Sequence, residues 1–222
     1  MERGKLGTLV DSLSAEVDKL PERPKSQASK YSNRDAVNSA FGSFFFQFPS
    51  LLRYMRELQE QEKRDNVQSL FDVNGIPSDN QIRNIVDEIE PSGISAVFNE
   101  TLKEAQHSGI INDYRILDGG VLMPLDGVWY FHSQNIYCDH CLTKVIKGKH
   151  VEEHTEYYHA TLAAALVNPG SKKILPLAPE IIRNTEGTEK QDCELAAGKR
   201  WLDAHSEEYS WLNPTLLGDD LY

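Results

Sequence analysis

Apolar residues recur at helical spacing through the first half of the chain. In the second half they form alternating or short unbroken runs. Leu9, Leu13 and Val17 lie four apart, which predicts a short helix over 6–20 that Pro21 and Pro24 end. The strongest helical pattern runs from Arg34 to Arg64. Ala36, Val37, Ala40, Phe41, Phe44 and Phe48 make a broad apolar face, and Leu51, Leu52, Met55 and Leu58 continue it. Pro49 is expected to kink or restart this helix with Ser50 just inside the new turn, and the aromatic run FGSFFFQF to enter the core. Gly75-Ile76-Pro77 predicts a turn and Ser78 an N-cap for a helix over 79–89, with Ile82, Ile85, Val86 and Ile89 inward. Pro91 ends it, and a further helix over 94–106 follows, with Val97, Phe98, Leu102 and Ala105 inward.

After His107 the period changes. Residues 114–133 predict a strand with a tight turn at Gly119-Gly120 and a break at Pro124. A second strand is expected over 156–168, a turn at Pro169-Gly170-Ser171, and a third strand over 172–178. A helix is expected over 186–205, with Cys193, Ala196, Ala197, Trp201 and Leu202 on one face, and a fourth strand from Thr215. The expected organisation is a helical region, 1–113, and an α/β region, 114–222, in the order strand, strand, strand, helix, strand. The class is α/β, or α+β over the whole chain. No internal repeat is visible.

Composition narrows this picture modestly. A chain of 222 residues with 40% hydrophobic content can bury one large core or two small ones. The first twenty residues lack the apolar segment of a secretory signal, and no stretch reaches the roughly 18–20 apolar residues of a membrane span. A cytoplasmic protein without membrane contact is expected. The net charge of −11 opposes phosphate binding, but it is uneven: residues 1–66 carry +1 (11 Lys/Arg against 10 Asp/Glu) and the remainder −12 (12 against 24). The basic run Lys19, Arg23, Lys25, Lys30 and Arg34 reads as a solvated linker or as a DNA-backbone contact. The helix at 79–89 exposes Asn80, Gln81, Arg83 and Asn84, which suits a plain surface helix or one that reads a groove through Arg83.

Two constellations carry candidate chemistry. The first begins with Asp126, the carboxylate that interrupts the apolar run from Val121 to Tyr130 within ILDGGVLMPLDGVWYFHS. A carboxylate on a buried strand is costly unless it is paired or holds a cation; the plain alternative is an edge strand facing water. LLGDDLY sets Asp219 and Asp220 at the end of another short apolar strand, and neighbouring strands would bring Asp219 near Asp126. Two close carboxylates repel unless a divalent ion lies between them, and such ions clamp the oxygens of a phosphodiester exchange. The second constellation is Cys138-Asp-His-Cys141 followed by His150, His154 and His159, the ligand types of a structural Zn²⁺ site at unusual spacing. The alternative is a reduced thiol pair in a hairpin connection with solvent-facing histidines. Lys144, Lys147 and Lys149 beside it suit DNA-backbone contact. Three cysteines argue against a disulfide framework, Cys193 has no visible base partner, and DGG at 118–120 is no phosphate loop because a strand follows.

Several phrases in order resemble a DDE transposase of a bacterial insertion sequence. They are FFFQFPSLLRYMREL, GIPSDNQIRNIVDEIEP, LDGVWYFHSQNIYCDHCLTK, YYHATLAAALVNP, ILPLAPEII, EKQDCELAAGKRWL and LLGDDLY. The resemblance implies a ribonuclease H-like catalytic domain holding Mg²⁺ or Mn²⁺. It makes Asp126 the first catalytic carboxylate and Asp219 the second, with Asp220 the variable position. It also implies double-stranded terminal-repeat DNA as partner, a DNA-binding helical region, and a homo-oligomer when complete. The family's third carboxylate is a Glu on a helix beyond the second Asp, whereas Glu180, Glu189 and Glu194 all precede Asp219. The expectation is therefore a C-terminally truncated transposase with little catalysis of its own. The rival expectation is a non-enzymatic DNA-binding or regulatory fragment.

Overall fold

The computed structural model describes residues 4–21, 30–58, 60–116, 118–148, 151–184 and 191–219. The chain divides into two units, Met1–Thr101 and Leu102–Tyr222. The division falls earlier than the expected 113/114 because Leu102, Ala105, Ile111 and Tyr114 are buried in the core of the second unit.

The first unit is helical. It contains α1 (Gly4–Val17), α2 (Asn33–Phe45), α3 (Leu51–Glu57), α4 (Gln61–Phe71) and α5 (Asp79–Val86). A 3₁₀ turn over Pro91–Ile94 and the start of α6 (Ala96–His107) follow. Ser32 and Asp35 form a reciprocal capping box at α2, and Ser78 and Gln81 form another at α5. The predicted helix over 34–64 is interrupted. Gln47 takes a positive φ of 56°, Pro49 follows, and Ser50 lies outside α3 as its N-cap, accepting from the Arg53 amide. The charged segment after Leu58 belongs to a separate helix, α4, which runs past the expected end at Arg64 to Phe71.

The aromatic run is only partly core, a correction to the expectation. Phe41 and Phe48 pack beside the cluster of Val10, Tyr54, Leu58, Val67, Phe71 and Val73, but Phe44 is 79% exposed and Phe45 and Phe46 also face solvent. Consecutive helix positions point in different directions, so Phe44 and Phe45 near the end of α2 cannot both share the buried face of Phe41. Asn38 is fully buried and donates to Ser14 Oγ and to the Phe71 carbonyl, both at 2.8 Å, tying α1, α2 and α4 together.

The second unit is built on a seven-stranded sheet. Its strands are β1 (Arg115–Ile116), β2 (Gly120–Ser133), β3 (Leu142–Gly148), β4 (Val151–Val167), β5 (Ile174–Pro176), β6 (Glu180–Ile182) and β7 (Pro214–Leu217). β2 and β4 are long antiparallel neighbours, with Leu125 opposite Ala164 and Asp126 opposite Ala163. β5 and β6 add to β4 as antiparallel partners, and β3 pairs with the other end of β4. The one parallel pairing among these strands joins β7 to β2. It needs a crossover, which α7 (Glu194–His205) supplies between β6 and β7.

Three expectations shift here. β2 runs unbroken through Pro124, because proline's fixed φ is compatible with extended backbone. Asp118 and Gly119, with φ of 58° and 85°, form the left-handed turn that reverses β1 into β2. α7 begins at Glu194, and Cys193, expected on its buried face, is the exposed N-cap; residues 186–190 of the predicted helix lie outside the described residues.

α7 covers one face of the sheet. Trp201 is 1% exposed, and its indole N–H donates to the Ala178 carbonyl at 2.7 Å. Around it lie Met123, Leu125, Leu162, Ala197, Tyr209 and Leu212. Each fully buried large apolar side chain contributes about 1.5–3 kcal/mol of transfer free energy. Among the described residues no helix is long and apolar enough to cross a membrane.

Candidate functional site

Side chains alternate along β2. Val121, Met123 and Leu125 are buried, while Asp126 is exposed. Alternation puts Asp126 on the opposite face from Met123 and Leu125. β4 pairs with one side of β2 through this stretch, but β7 pairs with the other only from Val121 to Pro124. Asp126 lies just past that pairing and faces solvent, as the edge-strand alternative expects, and it is not buried.

The β2–β7 register runs from Val121 opposite Pro214 to Pro124 opposite Leu217. Asp126 and Asp219 each follow that last pair by two residues, and both are exposed. Asp220 lies outside the described residues. On the next residue, the Gly127 amide donates to Glu194 Oε1 at 3.0 Å. A Cβ at Gly127 would lie 2.2 Å from Glu194 Oε2, so only glycine admits this carboxylate. Glu194 anchors the first turn of α7 to β2 beside Asp126. Glu180, by contrast, pairs with Arg200 at 2.6 Å, and Arg200 also holds Asp192 at 2.9 Å. Glu189 lies outside the described residues.

The cysteine–histidine constellation separates into two groups. Cys138 and Cys141 lie in the connection between β2 and β3, and His159 lies on β4 opposite Phe131. His159 Nε2 is 3.3 Å from Cys138 Sγ and 3.4 Å from Cys141 Sγ, and the two sulfurs are 3.8 Å apart. The turn closes through the Cys141 amide, which donates to the Cys138 carbonyl at 3.1 Å. The Cys138 amide points back to Cys141 Sγ at 3.3 Å. Burial pushes the Cys141 thiol up, against the lowering pull of that amide. Burial, and then the charge of His140, lowers His159 and favours its neutral form.

His154 belongs elsewhere. Its Nε2 faces Glu156 Oε1 at 3.5 Å and Gln134 at 3.1 Å, and its Nδ1 lies 2.9 Å from the Glu152 carbonyl. His132 Nε2 meets the other oxygen of Glu156 at 3.2 Å. His150 and Lys149 lie outside the described residues.

The expected cationic residues are exposed and differ in their surroundings. Arg83 lies on α5 in the first unit. Lys147 pairs with Glu153 at 3.0 Å. Lys144 Nζ sits over the Trp129 ring, 5.4 Å from its centroid, and Trp129 stacks on Tyr158 with centroids 4.1 Å apart. Tyr137 stacks on Tyr157 at 4.6 Å. The sequence reading missed this aromatic strip and β3. The signal that marks them is the facing of WYFHS and EYYH across one strand pair.

A comparison of this chain with protein-family models, with curated proteins and with solved structures gives no match.

Proposed function

We propose that this chain carries the two strand-borne carboxylates of a metal-dependent enzyme that cuts and rejoins DNA, of the DDE transposase kind. The observation that supports this most is the parallel β2–β7 pairing. Extending its register by two residues on each strand brings Asp219 beside Asp126. The order of two antiparallel strands, a further strand on the outer edge, a covering helix and a returning parallel strand suits a ribonuclease H-like domain. That order is the one in which carboxylates on the first and last strands meet.

Two solvent-facing carboxylates are hard oxygen donors, which fit Mg²⁺ or Mn²⁺ better than softer metals. Asp126 and Asp219 would hold the ion. A bound divalent cation neutralises charge on a phosphodiester and polarises its oxygens. The chain's own contribution is positioning: Glu194 holds the Gly127 amide and so steadies the backbone that carries Asp126. The partner would be duplex DNA bearing the terminal repeats, bound with the help of Lys144 and the helical unit, in a homo-oligomer.

Titration of the full chain with Mn²⁺ tests the reading. Paramagnetic broadening is expected at the amides of Gly127, Val128 and Gly218, and it should vanish in Asp126→Asn and Asp219→Asn. Any Mg²⁺-dependent cutting of terminal-repeat DNA should vanish with it. Broadening that survives both substitutions would count against the proposal.

A second reading is favoured by exposed Lys144 and Trp129, the latter stacked on half-buried Tyr158. Base stacking and cation contact suit DNA binding without chemistry. It expects salt-sensitive binding that Asp126→Ala leaves intact.

A further inference from the structure

We infer that Cys138, Cys141 and His159 form a zinc site that fastens the β2–β3 connection to β4. The inference is independent of any role for Asp126 and Asp219. Among the described residues these three donors form the one group whose ligand atoms all lie within 4.8 Å of one another.

The distances lie close to those of a tetrahedral metal site and are far from a disulfide. With Zn–S near 2.3 Å and Zn–N near 2.0–2.1 Å, tetrahedral geometry requires S···S of about 3.8 Å and S···N of about 3.6 Å. The observed separations are 3.8 Å between the sulfurs and 3.3 and 3.4 Å from sulfur to Nε2. A disulfide needs about 2.05 Å between sulfurs, and the pair is far from that. The donors are also correctly mixed, because two thiolates and one imidazole select zinc over Mg²⁺ or Mn²⁺.

The local backbone is built for the purpose. Two residues separate the cysteines, and the Cys141 N–H to Cys138 C=O bond turns both sulfurs the same way. The Cys138 amide bonded to Cys141 Sγ stabilises a thiolate there. His159 is held from the other side by near-parallel stacking on Tyr130, with an interplanar angle of 13°. The group has three members among the described residues, so the fourth corner goes to solvent or to a residue outside them.

The site also answers a structural need. β3 is thinly supported: Leu142 is buried, but Thr143, Lys144, Val145 and Lys147 face solvent. Ile136 and Tyr137, in the connection before it, are 68% and 65% exposed. A metal joining ligands 18 and 21 residues apart replaces the apolar core that this hairpin lacks.

Elemental analysis and Co²⁺ substitution of the full-length chain test the assignment. About one zinc per chain is expected. Replacement by Co²⁺ should give thiolate-to-cobalt charge-transfer absorption and the intense visible bands of a tetrahedral ion. Cys138→Ser with Cys141→Ser should abolish both, and His159→Gln should weaken Co²⁺ binding at least tenfold. The Co²⁺ titration of the unmodified chain stands even if a variant fails to fold. Three results would each overturn the inference: a folded chain that takes up neither metal, zinc retained by the double cysteine variant, or a Cys138–Cys141 disulfide in protein purified without reductant.

Discussion

The amide of Gly127 donates to the carboxylate of Glu194 across 3.0 Å, linking the middle of β2 to the first residue of α7 one position after Asp126. The bond uses a strand amide that would otherwise need another partner, and it sets a negative charge at a helix N-terminus, where the macrodipole favours it. It exists because residue 127 has no side chain. Gly127→Ala would put a Cβ 2.2 Å from Glu194 Oε2 and expel the carboxylate. The expected cost is ~1–3 kcal/mol, from crowding together with a lost hydrogen bond. Adding Glu194→Ala should recover part of it by removing the clash. Thermal melts of the single and double variants check this; a double variant no more stable than Gly127→Ala contradicts it.

Asp35 is the polar centre of the first unit. It is 6% exposed, and it accepts from the Asn74 amide at 2.9 Å, the Gly75 amide at 3.1 Å and Ser32 Oγ at 2.8 Å. It therefore joins the start of α2 to the turn after α4. Asp35→Ala takes this acceptor from the part-buried Asn74 and Gly75 amides and is expected to cost about 1–3 kcal/mol, while Asp35→Asn, which keeps one acceptor oxygen, costs less. Urea unfolding followed by circular dichroism measures both; equal losses in the two variants would contradict the account.

The β3–β4 hairpin carries a pH-dependent group. His154 is raised from 6.5, first by the Glu152 carbonyl and then by Glu156. Its stabilisation is complete below pH 6.5 and is lost as pH rises through the raised value. Glu156 is lowered from 4.5, first by its bond from His132 and then by that from His154. Its stabilisation is complete above pH 4.5 and is lost as pH falls through the lowered value. Both operate together between pH 4.5 and 6.5. Glu156→Gln should flatten the pH dependence of the melting temperature on both flanks and move the His154 imidazole titration, followed by NMR, to lower pH. An unmoved His154 titration would sink the coupling.

Lys144 is expected to contribute more to DNA binding than Lys147. Its ammonium lies over Trp129, whereas Lys147 is engaged by Glu153. Lys144→Ala should weaken duplex binding for all sequences alike and reduce the slope of log affinity against log salt by about one. Fluorescence anisotropy over a salt series, with Trp129 as an internal reporter, measures this. An unchanged slope would remove Lys144 from the interface.

Much of the secondary structure was legible because its signals are local. The four-residue spacing in α1, the Ser78 cap, the apolar run of β4 and the turn at Pro169-Gly170 are all within reach of a single window of sequence. The misreadings share a cause. Phe44, Phe45 and Phe46 read as core from their apolar character, but consecutive positions at the end of α2 point in different directions and cannot all turn inward. β3 went unread because its outward residues are polar or singly apolar, and its pairing with β4 supplies the order that its own sequence does not. Of the candidate metal ligands, the CxxC pair was local and legible. The choice of His159 over His154 was not, since it depends on which residue of β4 comes opposite Phe131.

Local pattern sufficed for the helical first half, for most strands of the second and for the two classes of candidate ligand, because periodicity, caps and donor chemistry are carried by neighbouring residues. Folding was needed to return β7 parallel to β2, to bring Glu194 to Gly127 and to join His159 to the two cysteines. Each of these joins residues from separate elements, over separations of 18 to 93 positions. A strand shifted by one residue turns every side chain to the other face, so such meetings are set by register and packing, which no local pattern encodes.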